Sequence, residues 1–154
     1  ADACELALAA AIEGERRMKE ANTERAGRGE TALRYGIGLH IGNVMFGNVG
    51  LADRLAFSAF GSAVNEAARL EGLTKKFKTP IVASEAFMAY CGGAWDSLGR
   101  ETLRGVDSPM AIFCPASERL REPRTDIARR DRAQRLSDAE SVVLLHQDNP
   151  PNAG

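Results

Sequence analysis

Hydrophobic and polar positions alternate strictly from Leu33 to Ile41. Leu33, Tyr35, Ile37, Leu39 and Ile41 share one face of an extended chain, and Gly36, Gly38, His40 and Gly42 share the other. The pattern predicts a strand with one packed face and one nearly bare face. Glycine lacks the Cβ that would hold a neighbour away, so the bare face calls for a second backbone lying close. Val44 to Val49 continues as a second short strand or a bent extension, closing at Gly47 and Gly50. Arg54 to Phe60 alternates again, with Leu51-Ala52-Asp53 as the hairpin connection.

Helical spacing appears on either side of these strands. From Ala3 to Ala26 the chain is rich in Ala, Glu, Arg and Leu, with Leu8, Ile12 and Met18 spaced for one apolar stripe, and Gly27 to Gly29 ends the segment. Ser62 to Phe77 predicts a second helix with Val64, Ala67, Leu70, Leu73 and Phe77 on its buried side, Ser62 suiting an N-cap. Asn65 and Arg69 then project roughly opposite that stripe, one turn apart. Pro80 to Ala83 reads as a short strand. Ser84 caps a helix reaching Tyr90, with Glu85 in its first turn and Gly92-Gly93 as its stop. Strands fit Trp95 to Leu103 and Met110 to Cys114. After Pro115 the apolar pattern fades into alternating arginines and acids, and residues 116–154 read as a charged, poorly ordered tail or a loose helix.

Composition narrows the function classes. At 154 residues, one domain is the upper limit. Twenty basic residues against 21 acidic ones leave a net charge of −1, so no whole-molecule field draws in nucleic acid or an anionic membrane. The Arg129-Arg130-Asp131-Arg132 cluster is interleaved with acids and reads as solvated tail. No apolar run approaches the length of about 20 residues that crosses a bilayer. Three widely spaced cysteines, Cys4, Cys91 and Cys114, support neither a disulfide framework nor a zinc site and point to a reducing, cytoplasmic setting. The chain opens on Ala1, which leads us to expect a fragment.

The glycine-rich stretch from Gly36 to Gly50 lacks the G-K-[ST] of a phosphate loop and the GxGxxG of a dinucleotide fold. His40 reads as a hydrogen-bonded structural histidine. Metal ligation by histidine has no support, because the second histidine, His146, lies in the tail. The stronger constellation runs from Phe57 through Gly61 to Glu71, passing from a strand into a helix: F-S-A-F-G-S-A-V-N-E-A-A-R-L-E.

That segment resembles class III nucleotide cyclases, in which hydrophobic residues precede G-x-x-V-N-x-A-x-R-[LM]-[ED]; Gly61, Val64, Asn65, Ala67, Arg69, Leu70 and Glu71 match. Upstream, Y-G-I-G-L-H-I-G from Tyr35 with Gly47-Asn48-Val49-Gly50 resembles the family's glycine-rich strand pair. Downstream, Thr79-Pro80-Ile81-Val82-Ala83-Ser84-Glu85 and then Leu98-Gly99-Arg100, Leu103-Arg104-Gly105-Val106 and Pro109 resemble its closing elements. The resemblance spans about residues 3 to 115. It implies an α+β, ferredoxin-like cyclase fold, with residues 1–115 as the C-terminal portion of the catalytic domain and its N-terminal strands absent.

The resemblance also implies roles. Arg69 is the arginine that stabilises transition-state charge on phosphate, and Asn65 orients the ribose. Ser58 stands where relatives read the purine with Asp or Thr; a hydroxyl there favours ATP over GTP. Arg104 stands where a lysine usually meets the triphosphate. The two aspartates that hold two magnesium or manganese ions belong to segments that this sequence does not contain, so no metal site is expected in the chain itself. The family works as a head-to-tail dimer, one subunit giving the aspartates and the other the Asn, the Arg and purine contacts. The expected partners are therefore ATP and either a second copy or another cyclase subunit, with no nucleic acid. The chain alone is expected to be inactive, to expose a sheet edge, and to offer the bare glycine face to the missing elements. An alternative is a non-catalytic half-domain that pairs with or regulates an intact cyclase; a third is a ferredoxin-like domain of unrelated function.

Overall fold

The computed structural model describes residues 2–51, 54–103, 108–117 and 141–148. Helix α1 (Asp2–Gly27) leads into strand β1 (Arg34–Ile41). The hairpin β2 (Met45–Leu51) and β3 (Arg54–Phe60) follows, then helix α2 (Ser62–Phe77), strand β4 (Ile81–Ser84), short helix α3 (Glu85–Tyr90), and strands β5 (Trp95–Glu101), β6 (Met110–Pro115) and β7 (Ser141–Asp148). Five strands form one sheet in the order β5-β6-β4-β1-β7, with β1 parallel to β4 and the other neighbours antiparallel. The hairpin β2–β3 forms a two-stranded sheet of its own.

Alternation along β1 and β4 divides the core between the two faces of the sheet. Ile37, Leu39, Ile81 and Ala83 pack with Cys4, Leu8 and Ala11 of α1 and Phe87 of α3. On the other face Val82 joins Leu70 of α2, Leu103 and Ile112. The side of α1 that packs is Cys4, Leu8, Ala11 and Glu15. A glutamate is tolerated there because it accepts the Tyr35 hydroxyl and pairs with Lys19 at 2.6 Å. Burial and that same hydrogen bond hold the Tyr35 phenol protonated well above its ordinary range. The Asn22 amide pins the end of α1 to the start of β1, donating to the Leu33 carbonyl at 3.0 Å and accepting its N–H at 2.7 Å.

The bare face of β1 does receive a second backbone, and it is the chain's own. A Cβ built on Gly38 would lie under 3.0 Å from the Ala67 carbonyl oxygen and the Glu71 amide nitrogen. One on Gly42 would lie 2.8 Å from the Ala63 Cβ, and one on Gly36 would meet Thr74 and Glu71. The expectation that this face waits for missing elements is therefore corrected: α2 covers it. The same contact explains why the buried residues of α2 are Ala63, Ala67, Leu70 and Thr74, whereas Val64, Leu73 and Phe77 are half-buried. A flat glycine row brings the helix close enough that small residues must face it.

The remaining differences lie at the sheet edge. Ser141–Asp148, within the segment expected to be loose, forms a strand that pairs with β1 over all eight residues, from Arg34↔Asp148 to Ile41↔Ser141. Strand β7 thus takes the second side of β1, and β5 and β7 are the end strands of the sheet. At the other helix junction Ser84 caps α3 as expected, its hydroxyl accepting the Phe87 N–H at 3.1 Å. Among the described residues no helix is long and apolar enough to cross a membrane, and the three cysteines remain thiols.

Candidate active site

Strand β3 turns into α2 at Gly61, whose φ of 140° lies in the region that favours glycine. A Cβ there would also stand 3.0 Å from the Asn43 carbonyl oxygen. Gly61, not Ser62, is the N-cap, and no side chain caps the helix; Ser62 is its first residue. The first turn also carries no acidic residue. This leaves backbone N–H donors at the helix start without side-chain acceptors.

Asn65 and Arg69 follow on α2, four residues apart, which places neighbouring side chains on one helix surface about 5–6 Å apart at Cβ. Asn65 is exposed and Arg69 half-buried. Neither side chain makes a hydrogen bond or ion pair with a described residue. The turn that bears Arg69 is the one pressed against Gly38, since the Ala67 carbonyl and Glu71 amide flank it. Ser58, half-buried on β3 opposite Gly47, lies three residues before the Gly61 turn. The structure therefore carries Ser58, Asn65 and Arg69 on one continuous strand, turn and helix. Arg104 lies outside the described residues.

Sequence reasoning passed over the polar cluster beneath this face. His40, 6% exposed, sits between Gly38 and Gly42 on the row that meets α2. Its Nδ1 is 2.9 Å from the Ser84 Oγ, as a hydrogen-bonded structural histidine requires, and its Nε2 is 3.4 Å from Glu66 Oε2. Burial lowers the imidazole pKa, and the Glu66 carboxylate partly opposes this. Spacing could not have found the cluster, because its members come from three separate elements.

The sign of the shift sets a stability profile. A folded-state pKa below the ordinary 6.5 means that the unfolded chain binds the proton more tightly. The contribution of neutral His40 is present above about pH 6.5 and lost as pH falls through the lower folded value. Urea unfolding midpoints should therefore drop between pH 7.5 and 5.5, and the His40→Gln variant should show a smaller drop.

A shallow cleft of about 430 Å³, lined by residues including Glu15, Arg34, Tyr35, Thr74 and Lys78, lies toward the C-terminal end of α2 and contains none of Ser58, Asn65 and Arg69. Of those three, Asn65 is exposed and Ser58 and Arg69 are half-buried. Among the described residues no group of three or more His, Cys, Asp or Glu stands together as a metal site. The hairpin beside the candidate face exposes large apolar side chains: Met45 is 70% exposed, Phe46 53% and Phe60 39%, with Met45 and Phe60 paired across the two strands.

Comparison with known proteins places this geometry. Adenylate cyclase 1 of Rhizobium meliloti (strain 1021) is 38% identical over 113 residues, covering 72% of this chain and 16% of that protein. Adenylate cyclase of Anabaena cylindrica is 40% identical over 84 residues, covering 52% and 17%. The chain thus spans about a sixth of the length of these relatives. Among solved structures, the guanylyl cyclase Cya2 aligns with a TM-score of 0.61 at 27% identity, covering 71% of this chain and 56% of that one. The adenylyl cyclase CyaB from P. aeruginosa shares the fold, with a TM-score of 0.56 at 24% identity over 70% and 57%. The mixed α+β architecture is that of an incomplete cyclase fold. Residues 2–111 match the adenylate and guanylate cyclase catalytic domain, and the chain belongs to that family.

Proposed function

We propose that this chain supplies the ribose- and phosphate-handling half of an adenylate cyclase active site. The carrying observation is the pair Asn65 and Arg69, neighbours on the open face of α2 and unengaged by any described residue. Cyclisation joins the ribose 3′ oxygen to the α-phosphorus and breaks the bond to the bridging oxygen, releasing pyrophosphate. Negative charge on the phosphate oxygens rises along that path, and the planar guanidinium of Arg69 offers a fork of donors to it. Asn65, one turn away, orients the ribose by hydrogen bonds. Ser58 reads the adenine edge, and Arg104 meets the triphosphate.

The other half of the site comes from a second subunit that supplies the metal-binding aspartates with two magnesium or manganese ions. The exposed apolar cluster of the β2–β3 hairpin supports such a contact. On this reading the chain is inactive by itself in a cytoplasmic setting. One observation favours the related reading of a non-catalytic pairing module: the chain's own β7 occupies the place beside β1, so further strands cannot pair with β1 directly.

A complementation assay tests the proposal. The chain is mixed with a cyclase subunit that keeps its aspartates but has lost its own ribose-orienting Asn and transition-state Arg. The expected result is cyclic AMP formation from ATP and Mn²⁺ by the mixture and none by either component alone. Absence of activity in the mixture would overturn the catalytic reading, and cyclic AMP made by the chain alone would overturn the half-site assignment.

A further inference from the structure

We propose that His40 is a positioning residue for the Asn65–Arg69 face, its buried imidazole tying the first two turns of α2 to the junction of β4 and α3 through Glu66 and Ser84. The inference rests on the nucleotide-handling role just assigned to that face.

Three features of the packing lead there. In the row Gly36, Gly38, His40 and Gly42, the imidazole is the one side chain larger than hydrogen, and it stands between the glycines that contact Ala63 and Ala67. Glycine against alanine offers few ridges or grooves to fix the rotation of a helix about its axis. At about 100° per residue, Glu66 sits about 70° from the buried Ala63, Ala67, Leu70 and Thr74 stripe and about 80° from the Asn65–Arg69 pair. A contact at Glu66 therefore sets the rotation of both.

The hydrogen-bond inventory fixes the proton. The Ser84 Oγ already accepts the Phe87 N–H at 3.1 Å. If it donates its own hydrogen to His40 Nδ1 at 2.9 Å, the imidazole carries its proton on Nε2, facing Glu66 Oε2 at 3.4 Å. The opposite tautomer would set an imidazole lone pair against the carboxylate. The Nε2–H form turns a proton rather than a lone pair toward the carboxylate, so hydrogen bonds link Phe87 N–H, Ser84 and His40, and an electrostatic contact at 3.4 Å carries the link on to Glu66 of α2. A second proton on the ring would place a donor on Nδ1 against the Ser84 hydroxyl hydrogen and force the hydroxyl to turn. Among the described residues, the groups that face the imidazole are Glu66 on α2 and Ser84 on β4.

The test uses the full chain in the complementation mixture, with three variants read in parallel. Glu66→Ala removes the anchor at a position where alanine suits the helix, and should lower kcat about tenfold while leaving the KM for ATP within about twofold; a tenfold loss corresponds to about 1.4 kcal/mol. His40→Gln retains a donor and an acceptor without titrating. It should keep most of kcat at pH 7.5 and abolish the decline of kcat below about pH 6.5 that is expected of the unaltered chain. Nitrogen NMR of the imidazole should report the Nε2–H tautomer. The proposal is overturned if Glu66→Ala leaves kcat unchanged, if the acid decline persists in His40→Gln, or if the ring is in the Nδ1–H form. Arg69→Ala is the separating control. If it too leaves the mixture active, the failure belongs to the nucleotide-handling role; if it abolishes activity while the other variants do nothing, the failure belongs to His40.

Discussion

Arg69→Ala is expected to lower the kcat of the complementing mixture by about 10² to 10³-fold, the range found when a preorganised donor to transition-state charge is removed. The same substitution should change the unfolding free energy by no more than about 0.5 kcal/mol, because the side chain engages no described residue. Loss of activity without loss of stability is the signature sought, and paired measurements of kcat and urea midpoint on one preparation supply it. Arg69→Lys keeps the charge but not the planar fork and should recover only part of the rate. An alanine variant that kept full activity would detach α2 from the chemistry. One that unfolded would show that the guanidinium supports the fold instead.

Gly38→Ala should be strongly destabilising, costing about 3 kcal/mol. The added Cβ would press on a helix carbonyl and amide, neither of which can swing aside as a flexible side-chain end can. Relief requires α2 to lift from the sheet, and Leu70 and Thr74 would lift with it. Gly72→Ala is the matched contrast. Its Cβ meets nothing within 4 Å, so it should stabilise α2 by about 1 kcal/mol through helix propensity. Thermal and urea unfolding of the two variants check the pair; equal effects would contradict the close approach of α2 to β1. Because the Gly38 contact holds the turn that carries Arg69, any folded Gly38→Ala protein should also lose complementing activity.

Much of this arrangement was readable from the sequence where a local rule governed it. The bounds of β3 and α2 coincide with the expected Arg54 to Phe60 and Ser62 to Phe77, because alternation changes to helical spacing at Gly61. The Ser84 cap was equally plain. The glycine row announced a close backbone but not whose, and the helix that supplies it, α2, lies twenty-odd residues on. On α2, Ala67 and Leu70 are buried as expected, but the rest of the side was misjudged because hydrophobicity favours Val64, Leu73 and Phe77, whereas contact with glycines selects Ala63 and Thr74. Strand β7 escaped notice because Val142, Val143, Leu144 and Leu145 form a continuous apolar run rather than an alternating one, set among charged residues. At the candidate site, Asn65 and Arg69 were proposed from the resemblance, and the structure supplies their shared helix, with Asn65 exposed and Arg69 half-buried. The link from His40 to Glu66 and Ser84 is a product of tertiary folding alone.

The pairing of β1 with β7 also orders events in time. Ile41 and Ser141 are partners a hundred positions apart, so on the ribosome β1 is synthesised long before its antiparallel neighbour. Until residues 141–148 emerge, the strand that lies under α2 keeps one row of backbone donors and acceptors open. Distant pairing of this kind slows folding and prolongs the exposure of an adhesive edge. For a nascent chain with apolar side chains already displayed on its β2–β3 hairpin, that interval is when encounters with other copies do the most harm.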